Sequence, residues 1–211
     1  MIIAVDGPAA SGKGTLTRRL AEHFGLARLD TGLLYRAVGF RIIEEGDDPE
    51  ETAIAVAAAE RLQASDLNNP ALRGEAAASA ASVVAAIPEV RATLRAFQQN
   101  FAANPPGGAP GAVLDGRDIG TVICPGADIK LFLTASPEVR AERRVKELQA
   151  KGLEAIYTRI LRDLQDRDAR DASRAVSPLE PAKDALVIDT SEKDADTVFE
   201  TALAHITSQN N

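Results

Sequence analysis

Apolar positions along this chain change period several times, and each change marks an element. Ile2, Ile3, Ala4 and Val5 form an unbroken β-branched run too brief for a helix, which predicts a buried strand ending at Asp6. LTRRLAEHFG, starting at Leu16, has helical periodicity and closes on Gly25. Leu26 to Leu29 reads as a short extended link, followed by a helix from Gly32 to Glu45, with Asp30 or Thr31 available as its cap and Gly46 to end it. Pro49 predicts another helix start, with Glu50 and Glu51 in the first turn and the end near Leu62.

Ser65 to Pro70 is rich in turn formers. Helical stretches follow at Glu75 to Ala86 and Pro88 to Ala103, the second with Val90, Leu94, Phe97 and Phe101 along one face. Asn104 to Gly111, NPPGGAPG, fits only a surface loop. Strands are expected at Ala112 to Leu114, Ala127 to Ala135 and Ala185 to Ser191. The helices between and after them are Pro137 to Lys151, capped by Ser136, then Leu153 to Arg170, and finally Asp194 to Thr207. Strands alternating with helices imply an α/β fold with a largely parallel sheet, whose ligands bind at the carboxyl ends of the strands.

Composition narrows this picture. A chain of 211 residues suits one domain with a substantial core, and with few aromatics and much alanine that core is aliphatic helix against sheet. A formal charge of −7 argues against a general nucleic-acid binder, so any anion site must be a local basic patch. Cys124 is the only cysteine, which excludes an intramolecular disulfide and a cysteine metal cluster and fits an inert thiol in a reducing compartment. His23 and His205 do not suggest a metal pair. No apolar run reaches the roughly 20 residues of a membrane span. The expectation is a cytoplasmic protein with no membrane partner.

The strongest chemical signal lies between the first strand and the first helix. Gly7, Gly12 and Lys13 have the Gly-x4-Gly-Lys spacing of a phosphate-binding loop, here Gly7, Pro8, Ala9, Ala10, Ser11, Gly12, Lys13, Gly14 and Thr15. Glycines let the main chain curl around phosphate oxygens, the helix start aims free N–H groups at them, and Lys13 adds a point charge on the terminal phosphates. Gly14 stands where the common form has Ser or Thr. The nearest hydroxyl that could meet magnesium is therefore on Thr15.

Two further stretches leave alternatives open. Asp115-Gly116-Arg117-Asp118 follows a strand, so it should lie on the same sheet edge as the loop; it is also an acceptable ordinary turn with a local Arg–Asp pair. Arg140, Arg143 and Arg144 share a helical face, and Arg159, Arg162, Arg167, Arg170 and Arg174 follow. The pairs Arg159–Asp163, Asp163–Arg167, Asp166–Arg170 and Arg167–Asp171 are all four apart, as in a solvated helix laced with ion pairs worth roughly 0.3–0.5 kcal/mol each. The competing reading is a cationic cover, which phosphoryl transfer between two anions needs in order to neutralise charge and exclude water.

Four motifs taken together resemble bacterial cytidylate kinase over nearly the whole chain: G-P-x-A-S-G-K-G-T at Gly7 to Thr15, L-D-T-G-x-x-Y-R at Leu29 to Arg36, D-G-R-D-I-G-T at Asp115 to Thr121, and R-D-x-R-D-x-S-R-A at Arg167 to Ala175. The resemblance implies a P-loop nucleoside monophosphate kinase fold over residues 1–211, a central mostly parallel sheet flanked by helices. It implies a helical acceptor-binding segment over about 31–104 and an Arg-rich lid over about 140–175. It further implies transfer of the γ-phosphoryl group of ATP to cytidine monophosphate or its deoxy form, with magnesium held mainly by the ATP phosphates.

By matching positions, Arg36, Arg117 and Arg174 would hold the acceptor phosphate, with Lys13, Arg117 and Arg174 acting on the transferring group. Arg167 and Asp171 would hold the ribose. Ser82, Arg91 and Asp118 would read cytosine, and Thr31 keeps a hydroxyl where some relatives carry Ser. Cytosine offers an amino donor beside ring-nitrogen and carbonyl acceptors, a pattern that a carboxylate and an arginine complement and that uracil reverses. The chain departs from the family pattern between Leu62 and Gly74, where a short Asn- and Pro-containing stretch replaces a small β insertion. Its partners would be small nucleotides, with a monomer as the working form.

Two other readings remain. One is a P-loop kinase of a small-molecule hydroxyl with Asp30 as base; the other is a nucleotide-dependent switch, which the lack of any N-K-x-D or D-x-x-G motif disfavours.

Overall fold

The computed structural model describes residues 1–174 and 176–209, without the Ala64 side chain. Ala175, which closes the arginine-rich motif and the expected lid, lies outside the described residues. Strands β1 (Ile2–Asp6), β2 (Ala27–Asp30), β3 (Ala112–Gly116), β4 (Ile129–Thr134) and β5 (Leu186–Asp189) form one parallel sheet in the order β2-β3-β1-β4-β5. From β1 the chain crosses to β2 at one edge, returns to β3 between the two, and then builds out on the other side with β4 and β5. The order therefore reverses at β1, and a ligand crevice is expected off its carboxyl end.

The apolar run of β1 is continuous because both of its faces are covered. Ile3 and Val5, with Leu131 and Leu133 of β4, pack against Leu16 and Leu20 of α1 (Lys13–Phe24) and Phe199 and Ile206 of α8 (Ala195–Gln209). Ala4, Leu29 and Leu114 face the other way, onto Ala102 of α5 (Pro88–Ala103) and Ile119 and Ile123. A second core lies among helices: Leu34, Val38 and Ile42 of α2 (Thr31–Glu45), Ala55 and Ala58 of α3 (Thr52–Glu60), Val84 of α4 (Glu75–Val84), and Val90 and Leu94 of α5. A small third one, Ala141, Leu148, Ile160 and Leu164, joins α6 (Pro137–Ala150) to α7 (Tyr157–Ser173). Among the described residues no single helix is long and apolar enough to cross a membrane.

Several boundaries differ from the sequence expectation. The link before α2 is the strand β2, held as an outermost strand by its register with β3, Asp30 opposite Asp115. Helix α3 starts at Thr52 rather than Pro49, because Asp48 accepts from the Glu50 N–H through its side chain (2.9 Å) and from the Glu51 N–H through its carbonyl (3.1 Å). That turn keeps both glutamates out of the helix. Neither Asp30 nor Thr31 caps α2 with its side chain; the Thr31 hydroxyl instead donates to the Asp115 carbonyl at 2.7 Å. Helix α7 begins at Tyr157 and not at Leu153, after Gly152 ends the preceding turn at φ 71°. The stretch between Leu62 and Gly74 folds as two short 3₁₀ turns, Ala64–Asn68 and Pro70–Arg73.

The alanine-rich helices approach closely. A Cβ on Gly39 of α2 would lie 2.7 Å from the Ala80 carbonyl carbon and 2.9 Å from the Ala81 nitrogen of α4, both backbone atoms. Gly39→Ala should therefore overpack this contact at a cost of about 1–3 kcal/mol, offset in part by the roughly 1 kcal/mol that alanine gains over glycine in a helix. Urea unfolding is expected to show a net loss; unchanged or higher stability would mean that α2 and α4 separate freely.

Candidate active site

The phosphate loop leaves β1 at Gly7, whose φ of 142° is one that L side chains rarely adopt and whose Cβ, if present, would overlap the Leu133 carbonyl of β4. Ala10 (φ 59°) and Gly12 (φ 95°) also turn left-handed, bringing the chain round to the first turn of α1. The Thr190 hydroxyl donates to the Ser11 carbonyl at 3.1 Å and so anchors the loop from beneath. Lys13 is buried and folds back, donating from Nζ to the Pro8 carbonyl at 2.7 Å. Burial, then the positive charge of Arg117, pushes its ammonium down to about 7. Ala9, Ala10, Gly12, Lys13, Gly14 and Thr15 line a cavity of about 1250 Å³, whereas Gly7, Pro8 and Ser11 shape the loop behind it.

Across that cavity the chain brings together four arginines far apart in sequence: Arg36 on α2, Arg117 after β3, Arg167 on α7 and Arg174 just beyond it. Three of them, Arg117, Arg167 and Arg174, act on Asp171, which is almost fully buried. Arg117 Nε donates to one of its oxygens at 2.9 Å and Arg174 Nη2 to the other. Burial alone would raise this carboxyl, but the charges of Arg117, Arg174 and Arg167 outweigh it and hold it below its ordinary value. Arg167 shows the opposite imbalance: burial, then Arg117, pushes it down to about 9. Arg36 is also lowered, by burial and then by Arg144, and donates to the carbonyls of Leu72 (2.8 Å) and Gly74 (3.4 Å), bracing the 3₁₀ segment. The cluster thus holds more positive charge than its own carboxylate balances, the condition for binding an anion.

At the far end Arg91 Nη2 donates to the Asp118 carboxylate and Nη1 to the Ala85 carbonyl at 3.3 Å, while its guanidinium carbon sits 5.5 Å from the centre of the Tyr35 ring. Ser82, on α4, faces the same space. Ser82 Oγ, Arg91 Nε, Arg167 Nε and Arg174 Nε are buried without a hydrogen-bond partner among the described residues. All four residues line the cavity, and buried polar atoms left free there call for an explanation such as a bound ligand that reorders them.

Residues 3–208 match the family model described as cytidylate kinase. The chain belongs to the cytidylate kinase family. A protein named cytidylate kinase from Paramagnetospirillum magneticum is 61% identical over 208 residues, 99% of this chain and 98% of the relative. One of the same name from Rhodospirillum rubrum is 56% identical over 203 residues, 96% of this chain and 95% of the relative. A crystal structure of an uncharacterised protein from Eubacterium ventriosum, 16% identical, superposes with a TM-score of 0.55 over 99% of this chain and 98% of that one, a likeness of fold alone.

Within this cytidylate kinase fold the charged helices divide by face. Arg159 and Arg162 are 79% and 83% exposed and pair loosely with Asp163 (3.9 Å) and Asp166 (4.0 Å), as a solvated helix does. Arg167–Asp171 does not become an ion pair because Asp171 turns to Arg117 and Arg174, and Asp163 and Asp166 lie nearer Arg159 and Arg162 than Arg167 and Arg170. Arg140, Arg143 and Arg144 do not act as one face either. Arg140 is buried, donating to the Ala135 carbonyl (3.0 Å), the Ala9 carbonyl (3.2 Å) and Asp168. Arg143 holds Thr190, and Arg144 reaches Glu75 on α4.

Sequence reasoning gave no role to two buried carboxylates. Asp115 accepts from the Thr17 hydroxyl (3.0 Å) and Arg28 (3.4 Å), and burial, then Asp30, pushes it up to about 6. Asp6 accepts from two consecutive backbone N–H groups, those of Ile119 and Gly120. Asp6 was visible only as the polar residue ending the first strand, and Asp115 only as the first residue of the D-G-R-D-I-G-T motif, with no role attached to either. Tyr35 was visible inside the L-D-T-G-x-x-Y-R motif, but nothing in the pattern placed its ring under Arg91.

The depressed Lys13 ammonium has a measurable consequence. A bound polyphosphate adds opposite charge beyond that of Asp115 and Asp30, so the lysine's pKa rises and the complex holds more protons than the free protein. ATP binding at pH 8 is expected to take up as much as about one proton per site, and affinity to fall as pH climbs above 7. Calorimetry in buffers of differing ionisation enthalpy measures the uptake; proton release, or equal uptake by Lys13→Met, would contradict it.

Proposed function

We propose that this chain transfers the γ-phosphoryl group of ATP directly to cytidine monophosphate or deoxycytidine monophosphate, with the residues of one cavity in the following roles. The loop from Gly7 to Thr15 cradles the donor phosphates, with Lys13 on the terminal ones. Arg36, Arg117 and Arg174 align the acceptor phosphate, Arg167 and Asp171 hold the ribose, and Ser82, Arg91 and Asp118 read the base. Thr31 takes part from the start of α2, where its hydroxyl already braces Asp115. The segment over 31–104 receives the acceptor and the helices over 140–175 act as lid, all within one kinase domain spanning 1–211.

The observation that carries this reading is the set of buried, unpartnered polar atoms, Ser82 Oγ, Arg91 Nε, Arg167 Nε and Arg174 Nε, on residues that line the same cavity as the phosphate loop. The volume of about 1250 Å³ exceeds the roughly 300–1,000 Å³ of an ordinary small-molecule site, as two nucleotides require. A monophosphate has a second pKa near 6, so its attacking oxygen is already deprotonated at neutral pH and needs no strong base. Catalysis then consists of positioning and charge stabilisation: the loop amides, Lys13 and the arginines meet the charge that spreads over the transferring group, and closure of the cavity excludes water.

Among the described residues no cluster of His, Cys, Asp or Glu could hold a metal ion by itself. Magnesium fits as an ion carried mainly by the phosphates, with the hydroxyl of the exposed Thr15 on the cavity lining as its protein ligand, and when bound it would neutralise charge on the transferring phosphates. Transfer to a neutral alcohol with Asp30 as base is not favoured, since that chemistry leaves the arginine cluster around Asp171 without a purpose. On this reading the working form is a cytoplasmic monomer acting on free nucleotides, without nucleic acid or membrane. The net charge of −7 supports the exclusion of nucleic acid.

A coupled ADP-release assay with magnesium across CMP, dCMP, UMP and AMP tests the activity. Turnover is expected with CMP and dCMP; failure to form CDP from CMP and ATP would end the proposal. Asp118→Ala removes the partner of Arg91 and should lower kcat/KM for CMP by roughly 100-fold while affecting UMP far less. Equal losses for the two would remove Asp118 from base reading.

A further inference from the structure

We propose that Asp6 is a positioning residue for base selection, fixing from the end of β1 the turn that aims Asp118 at Arg91; this rests on the function proposed above. Asp6 does not line the cavity and is 4% exposed. Its two carboxylate oxygens accept separately from the N–H groups of Ile119 and Gly120, each at 2.8 Å. Those residues open the π-helical turn Ile119–Ile123, whose other end is tied back by Val122 and Ile123 N–H donating to the Asp118 carbonyl at 2.9 and 3.1 Å. Asp118 is thus the hinge between β3 and a turn gripped at both ends, and its side chain is the one that meets Arg91.

A mere space-filler at this position need not be charged. Burial opposes the carboxylate and raises it to about 6, Asp118 repels it, and only the two amide bonds and Lys13 favour its charged form. A neutral Asn presents one acceptor oxygen and, in place of the other, an NH₂ donor facing an N–H donor. Ionised Asp alone satisfies both amides. Since Asp6 also precedes Gly7, the same side chain ties the strand that launches the phosphate loop to the turn that carries the base reader. A π-helical turn is rare and is found mostly at functional sites, which agrees with this placement.

The turn can also be disturbed without replacing Asp6 or any residue of the phosphate loop. A Cβ on Gly120 would lie 3.2 Å from Lys130 Cδ and 3.4 Å from Asp6 Oδ2, and Lys130 is itself held by Asp184, with Nζ donating at 2.8 and 3.0 Å. Gly120→Ala therefore crowds the turn against a tethered Lys130 and shifts it by a few tenths of an ångström against its carboxylate.

The experiment measures kcat/KM for CMP and UMP, and KM for ATP, in the wild type, Asp6→Asn and Gly120→Ala, with thermal unfolding of each. A misplacement on the order of 1 Å can cost about 100-fold in rate, so the CMP-to-UMP ratio is expected to fall by about tenfold or more in Asp6→Asn and by a smaller factor in Gly120→Ala. KM for ATP should stay within about twofold, the mark of a displaced base reader with an intact phosphate loop. An unchanged ratio, or losses of ATP and CMP binding in parallel, would overturn the proposal. Should Asp6→Asn not fold, Gly120→Ala decides alone. A wild type that forms no CDP would instead overturn the kinase activity itself, a result separate from any ratio between variants.

Discussion

The site depends on a local excess of positive charge that the protein does not neutralise by itself. Arg36, Arg117, Arg167 and Arg174 converge with Lys13 on one cavity, and Asp171, which faces three of these arginines, already serves Arg117 and Arg174. The strain of this arrangement appears in Lys13 and Arg167, both held well below their ordinary values by burial and by neighbours of like sign. Phosphate-rich ligands relieve it. The same electrostatics that penalise the residues alone favour two bound nucleotides, and they do so in a chain that is acidic overall.

The sheet explains how so local a patch is built. Because the strands run parallel and their order reverses at β1, the ends of β1, β2 and β3 open on one edge: the phosphate loop, Asp30 with the start of α2, and the Asp115–Asp118 turn. Each supplies a different part of the site from a rigid base. The two charged helices supply the remainder, and they are fastened rather than free-standing. Arg140 joins α6 to the phosphate loop at Ala9 and to α7 at Asp168, and Arg144 reaches across to Glu75 on α4.

Much of this was legible in the sequence, where local pattern and chemistry coincide. The apolar run before Gly7, the Gly-x4-Gly-Lys spacing and the helical period after it identify strand, loop and helix without other help. Ser82 and Arg91 were legible only through resemblance, since a serine and an arginine on a helix look like a cap and a surface charge. Which arginines face inward could not be read from spacing, because the i,i+4 pattern is the same on both faces of α7 and the choice is made by Asp171 meeting Arg117. The turn after Asp118 was illegible for a similar reason. Its unusual hydrogen bonding is imposed by a carboxylate at Asp6, on another strand. Strand β2 escaped notice because four residues carry too little alternation to separate a strand from a linker.

Those four residues have an effect beyond the active site. Strand β2 and its counterpart on the opposite side of the sheet, β5, are each only four residues long, and β2 carries an exposed arginine at Arg28. An outermost strand is where a foreign polypeptide can zip onto exposed backbone groups and start an aggregate, and brevity with charge blunts that template. The architecture that concentrates its chemistry at the strand tips thus keeps both flanks short, and on the β2 side charged as well.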